Sequence, residues 1–311
     1  MKLQQLRFLC EIVDRELSIS NAAAALHTSQ PSVSRQIQAL EKELGVAVFA
    51  RSRKRILGLT KPGIEVLQIA RRMVRDAENL AQVGNEFTAK DSGDLVITTS
   101  HTHARYVLPS VIKKFAAEYP KVRVILRQGN PTQIAEWASS GDADLSISSE
   151  PIRPIPNLVL LPCYDHPKVV LTPLKHPLLG KRALTIEELA RYPLITYDSE
   201  FATHSQVMRA FESRQLKPNI ILSATDVDVM KTYVKHGMGV AIVASLAYDA
   251  KEDRALRSID ARHLFESNKI YVGIRRHSYL RGYVFRFIRL FSPKLTREIV
   301  ERAVFASQPR E

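Results

Sequence analysis

Val33, Ile37 and Leu40 recur at i, i+4 and i+7 in a segment whose other positions are mostly polar. The pattern predicts a helix with one buried face. At 100° per residue, Pro31, Ser34, Arg35, Gln38 and Lys42 lie on the far side. Just before it, four alanines from Ala22 to Ala25 predict a short helix capped by Ser20, since alanine is the strongest helix former. His27 and Thr28 fall at the turn, Ser29 is the second cap, and Pro31 sits in the first turn, where a missing N–H costs little. Two short helices joined by a tight turn, the second with a polar outer face, carry a recognition helix into a DNA major groove. An ordinary amphipathic helix pair would share the pattern. On the DNA reading, Gln30, Pro31, Ser32, Ser34, Arg35 and Gln38 are the contacting positions, with Gln30, Pro31, Ser34 and Arg35 reading bases.

After Leu44-Gly45 an apolar run starts a short strand, and Arg51, Arg53, Lys54 and Arg55 follow at once. A strand with a basic turn reads as a wing, in which Arg51 and Arg53 are the candidate phosphate contacts. Thr60 then caps a longer segment, with Pro62 in its first turn and no proline from Gly63 to Phe87. One stripe runs Leu67, Ala70, Val74, Ala77, Ala81, Gly84; its neighbour runs Val66, Ile69, Met73, Leu80, Val83, Phe87. Apolar stripes on adjoining faces predict a linker helix that dimerises and also packs on the first domain.

Asp91-Ser92-Gly93-Asp94 reads as a hinge, and the grammar then changes. Strands are expected at 95–99, 122–127, 145–148, 168–172, 194–196, 219–224, 240–243 and 269–274. Helices are expected at 104–119, 133–139, 186–191, 206–214, 227–236 and 280–291. Alternating strands and helices predict an α/β domain on a parallel sheet. The fold class is therefore α/β multidomain: a winged helix-turn-helix at 1–59, a linker helix at 60–90, and a second domain at 91–311.

Composition changes little except in charge. The 311 residues carry a net charge of +13, which favours a polyanionic partner. It is not confined to the front: a late cluster holds Arg275, Arg276, Arg281, Arg286, Arg289, Lys294 and Arg297, read first as a solvated helix face. Two cysteines, Cys10 and Cys163, form no CxxC pattern and fit a reducing compartment. The chain opens into a helical pattern without a signal-peptide layout, and no apolar run approaches membrane-spanning length. A cytoplasmic protein is expected.

Ligands of open α/β sheets bind beyond the carboxyl ends of the strands. Thr98 to His103, Ser148-Ser149-Glu150, and Ser199 to Ser205 are hydroxyl-rich strand ends that could converge on one cleft, or simply be caps and turns. No GxSxG, Walker loop or HExxH is present. His101 and His103 are close, but in a strand they would face opposite ways, and no further ligand completes a metal set. Neither a metal nor a cofactor is expected. Gly237-Met238-Gly239 reads as a helix C-cap leading into a strand.

Taken together, Met1 to Arg7, Thr28 to Pro31, Phe49 to Ser52, His101-Thr102, Ala104 to Tyr106, Pro131 to Ala135, Leu161 to Tyr164, Lys231 to Val234 and Gly237 to Val240 resemble the LysR-type transcriptional regulators. The later segments resemble in particular their CysB-type branch, which controls cysteine biosynthesis and sulfur assimilation. The resemblance spans nearly the whole chain. It implies a periplasmic-binding-protein-like effector domain with one lobe at 91–164 and 268–295, a second at 165–267 and a terminal helix at 293–306. It implies a homotetramer built as a dimer of dimers, promoter DNA as partner, and RNA polymerase as a further candidate partner. The implied effectors are N-acetylserine, O-acetylserine, sulfate or thiosulfate, held by Ser100, His101, Thr102, His103, Gln133, Ser149, Ala202, Thr203 and Thr225. His103 stands where the family has glutamine, Ser149 where it has threonine, and Ala202 where it has a hydroxyl residue. Those departures keep a sulfonate or sulfate-ester response open. A two-lobed solute-binding protein or an enzyme remains a further alternative. Asp198 and Glu200 add carboxylates to the Ala202 turn, so a protonated His103 is expected to strengthen anion binding at lower pH.

Overall fold

The computed structural model describes residues 1–52, 55–88 and 92–306. The chain divides into two compact units, Met1–Thr88 and Ala89–Glu311.

In the first unit, α1 (Leu3–Asp14), α2 (Ile19–Ala25) and α3 (Gln30–Leu44) precede a two-stranded antiparallel ribbon, β1 (Phe49–Ser52) with β2 (Arg55–Leu59), and then α4 (Lys61–Thr88). Leu6, Leu9 and Ile12 of α1, Ala22 and Ala23 of α2, and Val33, Ile37 and Leu40 of α3 share one core. Small alanines let α2 lie close against its neighbours. The cap of α2 is Ser18 rather than the expected Ser20: Ser18 Oγ accepts the Asn21 N–H at 3.2 Å, and Ile19 packs on the core from the first turn. Gly45, with φ +69°, ends α3 in the left-handed region and turns the chain into the ribbon. Thr60 caps α4, its Oγ1 accepting the Gly63 N–H at 2.9 Å. A Cβ on Gly63 would fall 2.0 Å from the Val48 carbonyl, so only glycine permits that approach. Along α4, Leu67 and Ala70 are buried, whereas Ile69, Met73 and Leu80 are exposed. The first stripe thus packs inside the unit at Leu67 and Ala70, while the second, after Val66, is bare at Ile69, Met73 and Leu80. The side chains of Ala81 and Phe87 lie outside the described residues, as does Asp91 of the expected hinge. Ser92 to Asp94 already belong to a strand paired with Lys121 to Arg123.

The second unit has two five-stranded sheets. Its elements are β3 (Ser92–Thr99), α5 (His101–Tyr106), α6 (Leu108–Glu118), β4 (Lys121–Gln128), α7 (Pro131–Ser140), β5 (Leu145–Ser149), β6 (Leu158–His166), β7 (Lys168–Pro173), α8 (Ile186–Leu189), β8 (Leu194–Tyr197), α9 (Ala202–Glu212), β9 (Ile220–Ala224), α10 (Val227–Lys235), β10 (Val240–Ala244), β11 (Leu256–Asp260), β12 (Asn268–Arg275), α11 (Gly282–Phe291) and α12 (Arg297–Phe305). Lobe I carries the sheet β4-β3-β5-β12-β6, and lobe II carries β11-β7-β10-β8-β9. The expected parallel sheet is corrected to two mixed ones. β12 runs antiparallel to β5 and β6, and β7 antiparallel to β10 and β11, because the chain crosses between lobes on extended strands rather than helices. Neither β6 nor β11 is among the expected elements. The expected helix 104–119 is two helices, broken at Val107 because Pro109 cannot donate the helical N–H. Ser100 starts the first of them three residues early, so His101 and His103 are helical. Two positions apart on a helix they still point in nearly opposite directions.

Candidate functional site

On the first unit, the Ser29 hydroxyl accepts the Ser32 N–H at 3.4 Å and fixes where α3 begins. With Val33, Ile37 and Leu40 directed into the core, Gln30, Pro31, Arg35 and Gln38 are exposed and Ser32 and Ser34 half-buried beside them. Arg35 Nε donates to the Pro31 carbonyl at 3.3 Å, laying the guanidinium along the first turns. Arg51 is not simply free for phosphate. Its Nη2 lies 2.9 Å from Glu41 Oε2, while Glu41 Oε1 accepts the backbone N–H of Val48 at 2.9 Å and of Phe49 at 3.1 Å. A single carboxylate of the recognition helix therefore holds both the wing strand and its first arginine. Arg53 lies outside the described residues.

In the second unit, Ser100 follows β3 and caps α5. Its Oγ accepts the His103 N–H at 3.5 Å and lies 2.8 Å from His103 Nδ1. His103 is turned inward, 3% exposed, and its Nε2 has no partner. The rings of Tyr164 and His166, both on β6, stand 6.4 and 6.2 Å from it between centroids. Tyr164 Oη and His166 Nδ1 are also buried without partners. Past the crossing at Pro167, Lys168 is fully buried. Its ammonium donates to the Gln206 side chain, the Glu266 carbonyl and, at 3.2 Å, Asn268 Oδ1. Asn268 Nδ2 donates to Thr203 Oγ1 at 2.8 Å. A polar run thus passes from α5 through both hinge strands to the first turn of α9.

Burial pushes His103 down to about 3, with a smaller push from His166. Burial also lowers His166 to about 4, with Lys168 acting in the same sense. Lys168 falls to about 8 by burial, opposed by Glu266. At neutral pH the junction therefore holds two neutral imidazoles beside one ammonium.

A different network closes the outer face of the same junction. His101 Nε2 lies 2.9 Å from Asp228 Oδ2 and 3.1 Å from Asp226 Oδ1. Arg105 Nε lies 2.8 Å from Asp228 Oδ2, and Tyr106 donates to Asp228 Oδ1 at 2.6 Å. Lys231 donates to Tyr106 Oη at 2.8 Å and to Asp253 Oδ2 at 2.7 Å. Burial raises Asp228, but hydrogen bonds from Tyr106 and His101 and the charges of Arg105 and Lys231 outweigh it and hold the carboxyl below its usual range. This strap joins α5 of lobe I to α10 of lobe II.

The other expected ligand contacts scatter. Thr102 Oγ1 meets Tyr197 Oη across the cleft at 3.4 Å. Ala202 opens α9, half-buried and without a side-chain donor. Ser149 is half-buried, with its carbonyl accepting from Ser148. Gln133 is exposed and its Oε1 accepts the Asn130 N–H at 3.1 Å, so its amide serves the cap of α7. Thr225 is exposed just before Asp226. Asp198 and Glu200 stay in the rim turn: Asp198 Oδ1 accepts the Glu200 N–H at 3.0 Å, and Glu200 Oε2 accepts from Thr132 at 3.3 Å. The titratable group that acts on His103 is instead His166. Tyr164, His166, Lys168 and Asn268 were not expected; the run His166-Pro167-Lys168, polar residues around a proline between apolar stretches, is the signal that marks them. In the late basic cluster, Arg286 pairs with Glu118 at 2.5 Å and Arg297 with Glu301 at 2.7 Å, as a solvated helix face does.

A polar helix start beside a tethered wing, and a separate two-lobed unit holding unpartnered polar atoms at its junction, define a ligand-sensing transcription regulator rather than an enzyme. Residues 3–64 match the family model for the bacterial regulatory helix-turn-helix protein, lysR family, and residues 88–295 match the LysR substrate binding domain. The chain belongs to the LysR family. It is 47% identical over 295 residues to the HTH-type transcriptional regulator SsuR of Burkholderia cenocepacia, covering 95% of this chain and 96% of that one. It is 44% identical over 304 residues to CysB of the same organism, covering 98% and 97%. Among solved structures, the cofactor-binding domain of the Cbl transcriptional regulator shares 41% identity with a TM-score of 0.66, over 70% of this chain and 95% of that one. No helix among the described residues is long and apolar enough to cross a membrane.

Proposed function

We propose that this chain regulates sulfur-assimilation and cysteine-biosynthesis genes, reading promoter DNA through α3 and the wing and sensing a small sulfur-related effector between the lobes. The single observation that carries the sensing half is the unpartnered, buried His103 Nε2 behind the Ser100 cap. A buried donor or acceptor left unmade costs about 1–3 kcal/mol, which a ligand can return. Ser100, Thr102, His103 and Thr203 form the ligand-facing set, with acetylserine, sulfate and thiosulfate as candidates. The similarity to SsuR and CysB supports the gene class. The bare Ile69, Met73 and Leu80 stripe of α4 supports an oligomer built through that helix, a dimer of dimers on the family plan. Effector binding then shifts an equilibrium of lobe arrangements, which the linker helices pass to paired DNA-binding units.

Calorimetric titration of the full chain with N-acetylserine, O-acetylserine, sulfate, thiosulfate and an alkanesulfonate tests the reading. Saturable binding of at least one is expected, together with altered affinity for DNA upstream of sulfur-assimilation genes; saturation by none overturns it. Arg35→Ala is expected to cost about 1–3 kcal/mol on specific DNA and relax sequence preference. Equal weakening on random DNA would make Arg35 a phosphate contact.

A second reading keeps the machinery and makes an organic sulfonate the signal. Ala202 offers no hydroxyl, and the Glu200 carboxylate stands at the rim beside Thr132, where it disfavours dianions.

A further inference from the structure

Two imidazoles lie close together at the lobe junction, with His103 Nε2 and His166 Nδ1 buried and making no hydrogen bond. Ser100 Oγ accepts the His103 backbone N–H and lies 2.8 Å from His103 Nδ1. The hydroxyl can donate to Nδ1 or accept from it, so the unpartnered Nε2 is a buried donor in one neutral tautomer and a buried acceptor in the other. His166, 6.2 Å away between centroids, has its Nδ1 equally unpartnered and is 6% exposed.

The charges around this pair are few. At the start of α5, the Ser100 hydroxyl contacts the His103 ring; His101 and Arg105 are engaged with Asp228 in the strap. On β6, Tyr164 brings an unpartnered hydroxyl and Asp165 a carboxylate that favours protonation of His166. On β7, Lys168 brings one ammonium, shared among Gln206, the Glu266 carbonyl and Asn268. Glu266 and Arg209 act on it from the far side. The junction thus holds one buried ammonium, and a proton on either imidazole would add a second positive charge with only the exposed carboxylates of Asp165 and Glu266 near it. A monoanion would balance Lys168 alone. A dianion would balance Lys168 and one imidazolium together.

We propose that His103 and His166 form a two-imidazole clamp that takes a dianionic oxyanion together with one proton, and a monoanionic one without a proton; the inference rests on the effector pocket proposed above. Burial lowers them to about 3 and about 4, so both are neutral near neutral pH, which fits this balance. Ligand choice then follows pH: acid favours sulfate or thiosulfate, and neutral or alkaline conditions favour a sulfonate.

The test is calorimetry on the full chain between about pH 5.5 and 7.5, in amine buffers free of sulfonate, with sulfate and methanesulfonate as probes. Sulfate remains dianionic and methanesulfonate monoanionic over this range. The sulfate Kd should fall about tenfold per pH unit lowered wherever one proton is taken up, and the methanesulfonate Kd should change less than about twofold. Sulfate binding in buffers of different ionisation enthalpy should report uptake of one proton. The double variant His103→Gln, His166→Asn keeps polar side chains without the titration; it should flatten the sulfate profile while methanesulfonate still binds. A flat sulfate profile in the unaltered chain, or equal slopes for both anions, overturns the clamp and leaves the pocket standing. A slope that survives the double variant overturns it too, by placing the proton on a group other than these two imidazoles. Saturable binding of neither anion, nor of an acetylserine, overturns the pocket as well.

Discussion

His101 and His103 lie two residues apart, and the networks they enter are opposites. His101 joins a strap in which each carboxylate of Asp226, Asp228 and Asp253 meets a cation, a hydroxyl or a backbone N–H. His103 joins a cluster in which three buried polar atoms have no partner. The strap spends its hydrogen bonds on holding the lobes against each other. The inner cluster forgoes bonds inside the protein, which on the proposed reading keeps them for a guest. Satisfied polar groups build structure, and unsatisfied ones kept in a defined place build a binding site.

The comparison can be broken most sharply at Asp253. Its carboxylate and Lys231 are 6% and 4% exposed, so Asp253→Ala leaves a buried ammonium with Tyr106 Oη and the Asp228 carboxylate, 3.8 Å away, and should cost about 3 kcal/mol, read from the urea midpoint of the effector unit. A loss below about 1 kcal/mol would mean that the strap is not structural. Acid comes next. His103 and His166 titrate lower in the folded chain than in the unfolded one, so unfolding takes up protons and stability falls as pH drops below about 6.5, toward the folded values of about 3 and about 4. The slope should reach about 1.4 kcal/mol per pH unit for each imidazole, and saturating sulfate should make it shallower. Denaturation midpoints that do not move between about pH 6.5 and 5.5 would refute the buried neutral pair. Arg105 is half-exposed, and Arg105→Ala should cost under about 1 kcal/mol by the same assay. The smallest effect is the most telling: His103→Leu should leave the ligand-free chain within about 1 kcal/mol of the original, yet abolish stabilisation by sulfate.

The readability of the two units differs for a physical reason. The helix-turn-helix is written in local periodicity, so Val33, Ile37 and Leu40 predict the buried face of α3 and Ser29 its cap. Only the choice between Ser18 and Ser20 needs the packing of Ile19. Ser100, His103 and Thr203 are legible as polar residues at strand ends. Lys168 is not, since a lysine is almost never fully buried and its partners here lie 38, 98 and 100 residues away. Tyr164 and His166 escape because β6 bulges opposite Ile270 and Tyr271 and breaks the alternation that would mark it as a strand. Glu41 reads as one more charge on a helix face, and only the fold shows it holding the wing.

The chain enters lobe II at Pro167 and has returned by Asn268, and these crossings are neighbours, since His166 and Asn268 are paired across β6 and β12. Lobe II therefore hangs from one pivot, and Lys168 pins that pivot from within. A guest held at His166 works at the short end of a lever. A small shift beside the axle becomes a longer arc across the rest of lobe II, so on the proposed reading a very small molecule held there suffices to move the lobe.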